Sequence, residues 1–136
     1  MDKKIKDAVS VIVKNQVGET LFALRNKAEK SFPLVWSLPS HFVKDGESFE
    51  ETVERIGEDK LGVKLRALNL VNEGKSERDE FIIFMHDYEV EVVTGTPHLT
   101  KEDPYEELKW EIAQKQLASM TIMGDCCRLY KEFLEL

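Results

Sequence analysis

The chain reads as an α/β fold in which helices cover the faces of a mixed sheet. Three observations predict it. The elements run strands, helix, strands, helix along the chain. Apolar residues from Phe49 to Leu61 return with a helical period. Residues 8–13 and 81–85 are short apolar runs, rich in β-branched or aromatic side chains, as strands are. No repeat, low-complexity tract or linker interrupts the order, so the 136 residues are expected to form one domain over 1–136, large enough for a real core.

Residues 7–14 read as a strand and 15–19 as a turn containing Gly18. Residues 20–25 are a second strand, so a hairpin is expected. Residues 26–34 form a polar, lysine-bearing loop carrying Phe32 and Pro33; loops beside clefts often hold ligand contacts. Phe32 and Trp36 are each either stacking residues for a ligand base or core residues, with core favoured for Trp36. A short apolar run then reaches the acidic turn Lys44-Asp45-Gly46.

Ser48 is the expected N-cap of the following helix, and Glu51 three residues on completes a capping box. Phe49, Val53, Ile56, Gly57 and Leu61 share one side of that helix. Gly62 stands where a left-handed residue ends a helix. Gly57 lies inside it, where glycine costs about 1 kcal/mol relative to alanine. It marks either a close contact with the sheet or drift in a motif no longer under catalytic constraint.

Residues 64–71 read as a strand, 72–79 as a charged turn, and 80–93 as a strand. The run Phe81-Ile82-Ile83-Phe84-Met85 predicts a buried central strand. Residues 95–104 are a loop with Pro97 and Pro104, and 105–113 a strand. A short helical turn over 115–120 precedes a terminal amphipathic helix over 123–133. Its apolar stripe is Cys126, Leu129, Tyr130, Phe133 and Leu134.

A formal net charge of −7 argues against binding a nucleic-acid polymer, whose partners are usually basic. It does not exclude a small nucleotide. No run is long enough to span a membrane. The charged start Met1-Asp2-Lys3-Lys4 is not followed by an apolar core of the kind secretory signals carry. Cys126 and Cys127 are adjacent in a helix and point in different directions, so a reduced, cytoplasmic setting is expected, with both thiols packed inside. His41, His86 and His98 have no metal-ligand spacing.

Residues 41–63 resemble the Nudix box, G-x5-E-x7-R-E-U-x-E-E-x-G-U with U aliphatic. Glu47, Arg55, Gly62 and Val63 match, as do the flanking Trp36, Leu38 and Pro39. His41 stands in place of the first glycine, Ile56 and Gly57 in place of the glutamate and aliphatic residue after the arginine, and Asp59 and Lys60 in place of the glutamate pair. The resemblance runs from about Lys6 to Leu134 and implies the α/β/α sandwich of the Nudix fold.

In that family Mg²⁺ or Mn²⁺, held by glutamates of the helix, polarises a diphosphate and activates water. By resemblance, Glu47, Arg55, Asp59 and Glu107 are the catalytic candidates, and Glu47 and Asp59 the remaining metal ligands. Arg25, Phe32, Lys60 and Glu106 are the ligand-binding candidates. Glu106 and Glu107 precede Trp110 where many members place a further carboxylate; exposed strand-edge glutamates are the alternative. Arg25 ends its strand where family members bring a basic residue toward phosphate, or it is merely solvated. Ser40 and His41 replace a glycine pair through which backbone approaches phosphate. Arg55 positions a neighbouring glutamate in the family; here that neighbour is Ile56, which leaves it a structural role.

On an ideal helix, positions 56, 59 and 60 cluster. They read Ile, Asp, Lys, and a lysine there repels a divalent ion. Lys60 either supplies a fixed positive charge to a ligand phosphate or extends its ammonium to water past an apolar face. Two functions stay open. One is a nucleotide- or phosphate-ligand-binding protein whose metal-dependent hydrolysis is weak or lost. The other is a divergent hydrolase of nucleoside-diphosphate-linked compounds that holds Mg²⁺ or Mn²⁺ with Glu47, Asp59 and Glu106 or Glu107. The resemblance leaves a homodimer open.

Overall fold

The computed structural model describes residues 3–100 and 105–135. Among the described residues, seven strands form two sheets. β1 (Lys4–Ile12), β4 (Ser40–Phe42), β5 (Lys64–Glu77) and β6 (Phe81–Thr94) make a sheet of order β4-β1-β6-β5. It is mixed: β1 runs parallel to β6, while the β1–β4 and β5–β6 pairs are antiparallel. β2 (Thr20–Arg25), β3 (Trp36–Ser37) and β7 (Tyr105–Glu111) make an antiparallel sheet of order β3-β2-β7.

Period-two alternation sends successive residues of β1 to opposite layers. Val9 and Val11 join Val53, Ile56 and Leu61 under α1 (Phe49–Ile56). Ala8 and Ile12 join Leu117 of α2 (Ala113–Ser119) and Cys126, Leu129 and Tyr130 of α3 (Asp125–Phe133). β6 is sandwiched between β1 and β5 and divides in the same way, with Ile83 and Met85 toward α3 and Tyr88 and Val90 toward α1. Buried on both faces, it reads as a continuous apolar run rather than an alternating one.

α1 begins as its sequence predicts. The Glu51 amide donates to Ser48 Oγ and the Ser48 amide to Glu51 Oε1, both at 3.0 Å. Beyond Ile56 the helix widens into a π-helical turn, Gly57–Leu61, and Gly62 closes it at φ 64°. A β-carbon on Gly57 would lie 2.7 Å from Leu65 Cγ and 2.8 Å from the Val63 carbonyl oxygen. The backbone here presses on the start of β5, as the close-contact reading of Gly57 requires.

Four expectations are corrected. β1 and β2 are not a hairpin within one sheet. They meet only at the Lys14–Thr20 bridge, because both hydrogen-bonding edges of β1 are already taken, one by β4 and the other by β6. Residues 72–77 are strand, not turn: register with β6 runs on to Glu77 opposite Ile82, and the reversal falls at Arg78, whose amide donates to the Phe81 carbonyl. The strand expected over 105–113 stops at Glu111, and Ala113 already begins α2. Phe133 leaves the stripe of α3 and is 53% exposed. Both cysteines are buried, and neither is in a disulfide. Of the loop expected over 95–104, residues 101–104 lie outside the described residues.

Candidate functional site

Where the two sheets meet, a pocket of about 320 Å³ opens against the α3 side of β1 and β6. Ala8, Ile83, Met85 and Cys126 give it apolar walls, and Phe32 from the 26–34 loop adds an aromatic ring. Among the described residues three cations reach it, Arg25 from the end of β2, Lys60 from the π-helical turn, and Arg78 from the β5–β6 reversal, and two carboxylates, Glu29 and Asp125, line it with them. Each arrives from a different element, so the fold and not local sequence assembles the set.

Lys60 is only 8% exposed, and its Nζ lies 5.7 Å from the centre of the Tyr105 ring. Its ammonium therefore does not run out to water past the apolar face. Arg25 Nε donates to the Ser31 carbonyl at 2.8 Å, and its Nη2 lies 3.7 Å from Glu29. Arg78 Nη2 donates to Asp125 Oδ2 at 2.9 Å. Tyr105 stitches the two sheets together at the pocket wall, its hydroxyl accepting from the Ser40 amide at 2.9 Å. His41 also lines the pocket. Burial, then the charges of Lys60 and Arg55, lower its imidazole to about 4, so it is neutral near pH 7.

The turn carrying Lys60 is held from outside. Thr100 Oγ1 donates to the Asp59 carbonyl and the His98 amide to the Leu61 carbonyl, one on either side of Lys60. The His98 ring lies against Gly62 so closely that a β-carbon there would collide with it.

The structure thus gathers Arg25, Phe32 and Lys60 into one pocket and leaves the other candidates outside it. Glu47 borders a second, open depression beside Lys4, Lys6, Lys44 and Phe49. Its carboxylate is taken up by Arg55 Nε at 2.8 Å, Arg55 Nη2 at 2.9 Å and the Thr52 hydroxyl at 2.6 Å. The Arg55 bond, against the opposing effect of burial, holds that carboxyl down at about 2. Asp59 is half-buried at the turn. Glu106 and Glu107 are exposed on β7, and Glu106 accepts from the Lys27 amide at 3.2 Å. Trp36 packs on the apolar cluster under α3, with Lys109 over its ring, and does not line the pocket.

Sequence reasoning missed Arg78, Asp125 and Tyr105. Tyr105 had no signal, since its place opposite Arg25 is set by the register of β2 and β7. The Arg78–Asp125 pair had none, being 47 residues apart in sequence.

The profile of the NUDIX domain matches residues 4–118. The chain belongs to the Nudix family. Solved structures agree on the fold. A MutT protein from Methanosarcina mazei Go1 superposes with a TM-score of 0.81 at 20% identity, over 99% of this chain and 94% of that one. The E. coli ORF135 protein does so with 0.79 at 21%, over 98% and 91%. A MutT NUDIX hydrolase from Burkholderia pseudomallei gives 0.77 at 20%, over 98% of both. No curated protein matches the chain in sequence. No helix among the described residues is long and apolar enough to cross a membrane.

Nudix hydrolases act on small nucleoside-diphosphate-linked molecules and generally use divalent metals. Among the described residues the donor set of this Nudix chain does not fit such an ion. Ile56 is fully buried among apolar residues under α1, not turned toward the pocket beside Lys60. Lys60, on the π-helical turn, lines the pocket, whereas Ile56 ends α1 in the apolar cluster beneath it. Both oxygens of Glu47 are engaged by Arg55 or Thr52. Among the described residues no three His, Cys, Asp or Glu side chains are grouped to hold a metal. Of the residues of α1 and its π-helical turn, the one lining the pocket is Lys60, whose charge repels a cation at short range.

Proposed function

We propose that this chain is a nucleotide- or phosphate-ligand-binding member of the Nudix family whose metal-dependent hydrolysis is weak or lost. The observation that carries the reading is Lys60, turned into a pocket that also receives Arg25. A buried ammonium beside apolar walls suits an anionic group joined to an apolar or aromatic body. Lysine binds phosphate as a point charge, and arginine adds planar donors. Small-molecule sites have this composition, mostly apolar walls with a few placed polar groups. In this reading Arg25 and Lys60 hold the anion and Phe32 packs on the base or its equivalent. Arg55 and Glu47 hold the turn before α1, and Asp59, Glu106 and Glu107 are not ligands. The chain acts as a single domain in a reducing, cytoplasmic setting.

Two measurements test this. Calorimetric titration with adenosine diphosphate should show saturable binding that falls roughly tenfold or more in Lys60→Gln, the loss expected for one charge-assisted contact. A phosphate-release screen over nucleoside-diphosphate sugars, dinucleoside polyphosphates and oxidised nucleotides, with Mg²⁺ and with Mn²⁺, should show little turnover. Robust metal-dependent turnover would replace this reading with that of a divergent hydrolase.

A further inference from the structure

The start of β1 has an edge that its neighbour does not reach. β4 pairs with β1 from Ala8 to Ser10, and beyond that the Val43 amide donates to the Asp7 carbonyl. On the opposite edge β6 stays paired as far as Lys4, which lies across from Phe81. We infer that the uncovered edge is a docking slot, and that an extended acidic peptide enters it as a further strand of the sheet.

The position of the second depression points to an edge. Lys4, Ile5, Lys6 and Asp7 all line it, with residues 43–47 as the facing wall, and its volume is about 610 Å³. Successive strand residues point to opposite faces of a sheet. A hollow that touches four in a row therefore runs along the strand and not over one face. Backbone direction agrees. The Asp7 carbonyl and the Val11 amide both bond toward the β4 side, to Val43 and Pro39. Ile5 has the same parity, so its amide and carbonyl point into the slot, where no described strand pairs with them. Main-chain groups of this kind are what an added strand binds.

Charge selects the guest. Lys4, Lys6 and Lys44 line the slot, and none of them is in an ion pair among the described residues. Of the carboxylates there, Glu47 is taken by Arg55 and Asp7 Oδ1 lies 3.0 Å from His86 Nε2. That leaves Asp45 against three ammoniums. Lysines on an open edge keep like strands away: an antiparallel second copy centred on Ile5 would set Lys4 against Lys6. A strand with acidic residues would meet the same lysines with opposite charge. Lys4 and Lys6 share one face, and Ile5, 49% exposed, lies on the other. The fitting guest therefore alternates acidic and apolar residues.

The test is fluorescence anisotropy with a labelled hexapeptide alternating glutamate and valine, beside one alternating lysine and valine. The acidic peptide should bind saturably and more weakly as salt rises; the basic one should not bind. Lys4→Glu combined with Lys6→Glu should weaken binding roughly tenfold. Ile5→Pro removes the amide on the free edge, where a strand tolerates proline, and should abolish binding while the melting temperature is kept. If that variant does not fold, the acidic peptide methylated on every backbone nitrogen keeps its charge and should still fail to bind. Undiminished binding of the methylated peptide, binding of the basic peptide, or no binding of the acidic one would overturn the inference. So would sedimentation showing a dimer that Ile5→Pro dissolves, which would assign the slot to a second copy of the chain.

Discussion

Arg55 holds Glu47 with two nitrogens at once, Nε to Oε2 at 2.8 Å and Nη2 to Oε1 at 2.9 Å. The same Nη2 donates to the Phe42 carbonyl at 2.7 Å. One guanidinium thereby fastens three pieces together: the end of β4, the turn before α1, and α1 itself. These are two of the box residues that the chain retains, and the geometry accounts for both as architecture. A planar fork meeting a carboxylate is the strongest common form of this bond.

Removing the fork should cost stability. Arg55→Ala is expected to destabilise the fold by about 2 kcal/mol, typical of lost hydrogen bonds to a charged group, read as a shift in the urea midpoint at pH 7. The bond also sets an acid limit. Glu47 titrates near 2 in the folded state against 4.5 ordinarily. Its contribution is full above about pH 4.5 and disappears as pH falls toward 2. Glu47→Gln should flatten that part of the stability–pH curve. An unchanged acid slope in Glu47→Gln would contradict the assignment.

Asp87 should act in the opposite direction. It lies fully buried on the α3 side of β6, with Oδ1 accepting from Ser10 Oγ at 2.5 Å and Oδ2 without a hydrogen bond among the described residues. Burial, then the neighbouring Cys126, raises its carboxyl well above 3.8. The folded chain thus keeps this proton to higher pH than the unfolded chain, and stability falls as pH rises above 3.8. Asp87→Asn is expected to be more stable than the parent at pH 8 by about 1–2 kcal/mol, the order of an unsatisfied buried polar group. The advantage should shrink toward pH 4. Parallel thermal-melting curves across that range would refute it.

Gly57 separates two accounts of one residue. If it is drift, Gly57→Ala should stabilise the helix by about 1 kcal/mol. The close approach to Leu65 and the Val63 carbonyl predicts the reverse, a loss of about 1–3 kcal/mol from overpacking against backbone. Urea denaturation of this single variant decides between them.

Ile56→Glu restores a glutamate to the box, yet the side chain enters the apolar layer beneath α1. We expect a loss of about 3 kcal/mol or more, as for an unpaired buried polar group. An unchanged denaturation midpoint would mean that position 56 turns outward to solvent or to the pocket.

Local signals were readable wherever one residue controls one feature. Ser48 and Glu51 announced the start of α1, Gly62 its end, and the run from Phe81 to Met85 the two-faced burial of β6. Partner choice was not readable. β1 and β2 look like a hairpin because the turn between them is short, but which strands flank β1 depends on β4 and β6, far along the chain. The second half of β5 was hidden by its charges: an edge strand can carry Glu73, Lys75 and Glu77 where a central one could not. In the pocket, Arg25 was anticipated through the family resemblance, Lys60 through its charge on the box helix and Phe32 through the polar loop that carries it, whereas Arg78 was invisible because its position depends on where β5 turns. The π-helical turn over Gly57–Leu61 was equally silent.

The clasp formed by Thr100 and His98 makes that turn adjustable from a distance. Carbonyls flanking Lys60 are tied to a segment nearly forty residues downstream, outside the pocket. Selection acting on residues 96–100 could retune how far the ammonium projects while leaving every group that meets the ligand untouched. Affinity in this scaffold can drift by changing the mounting of a charge instead of the charge.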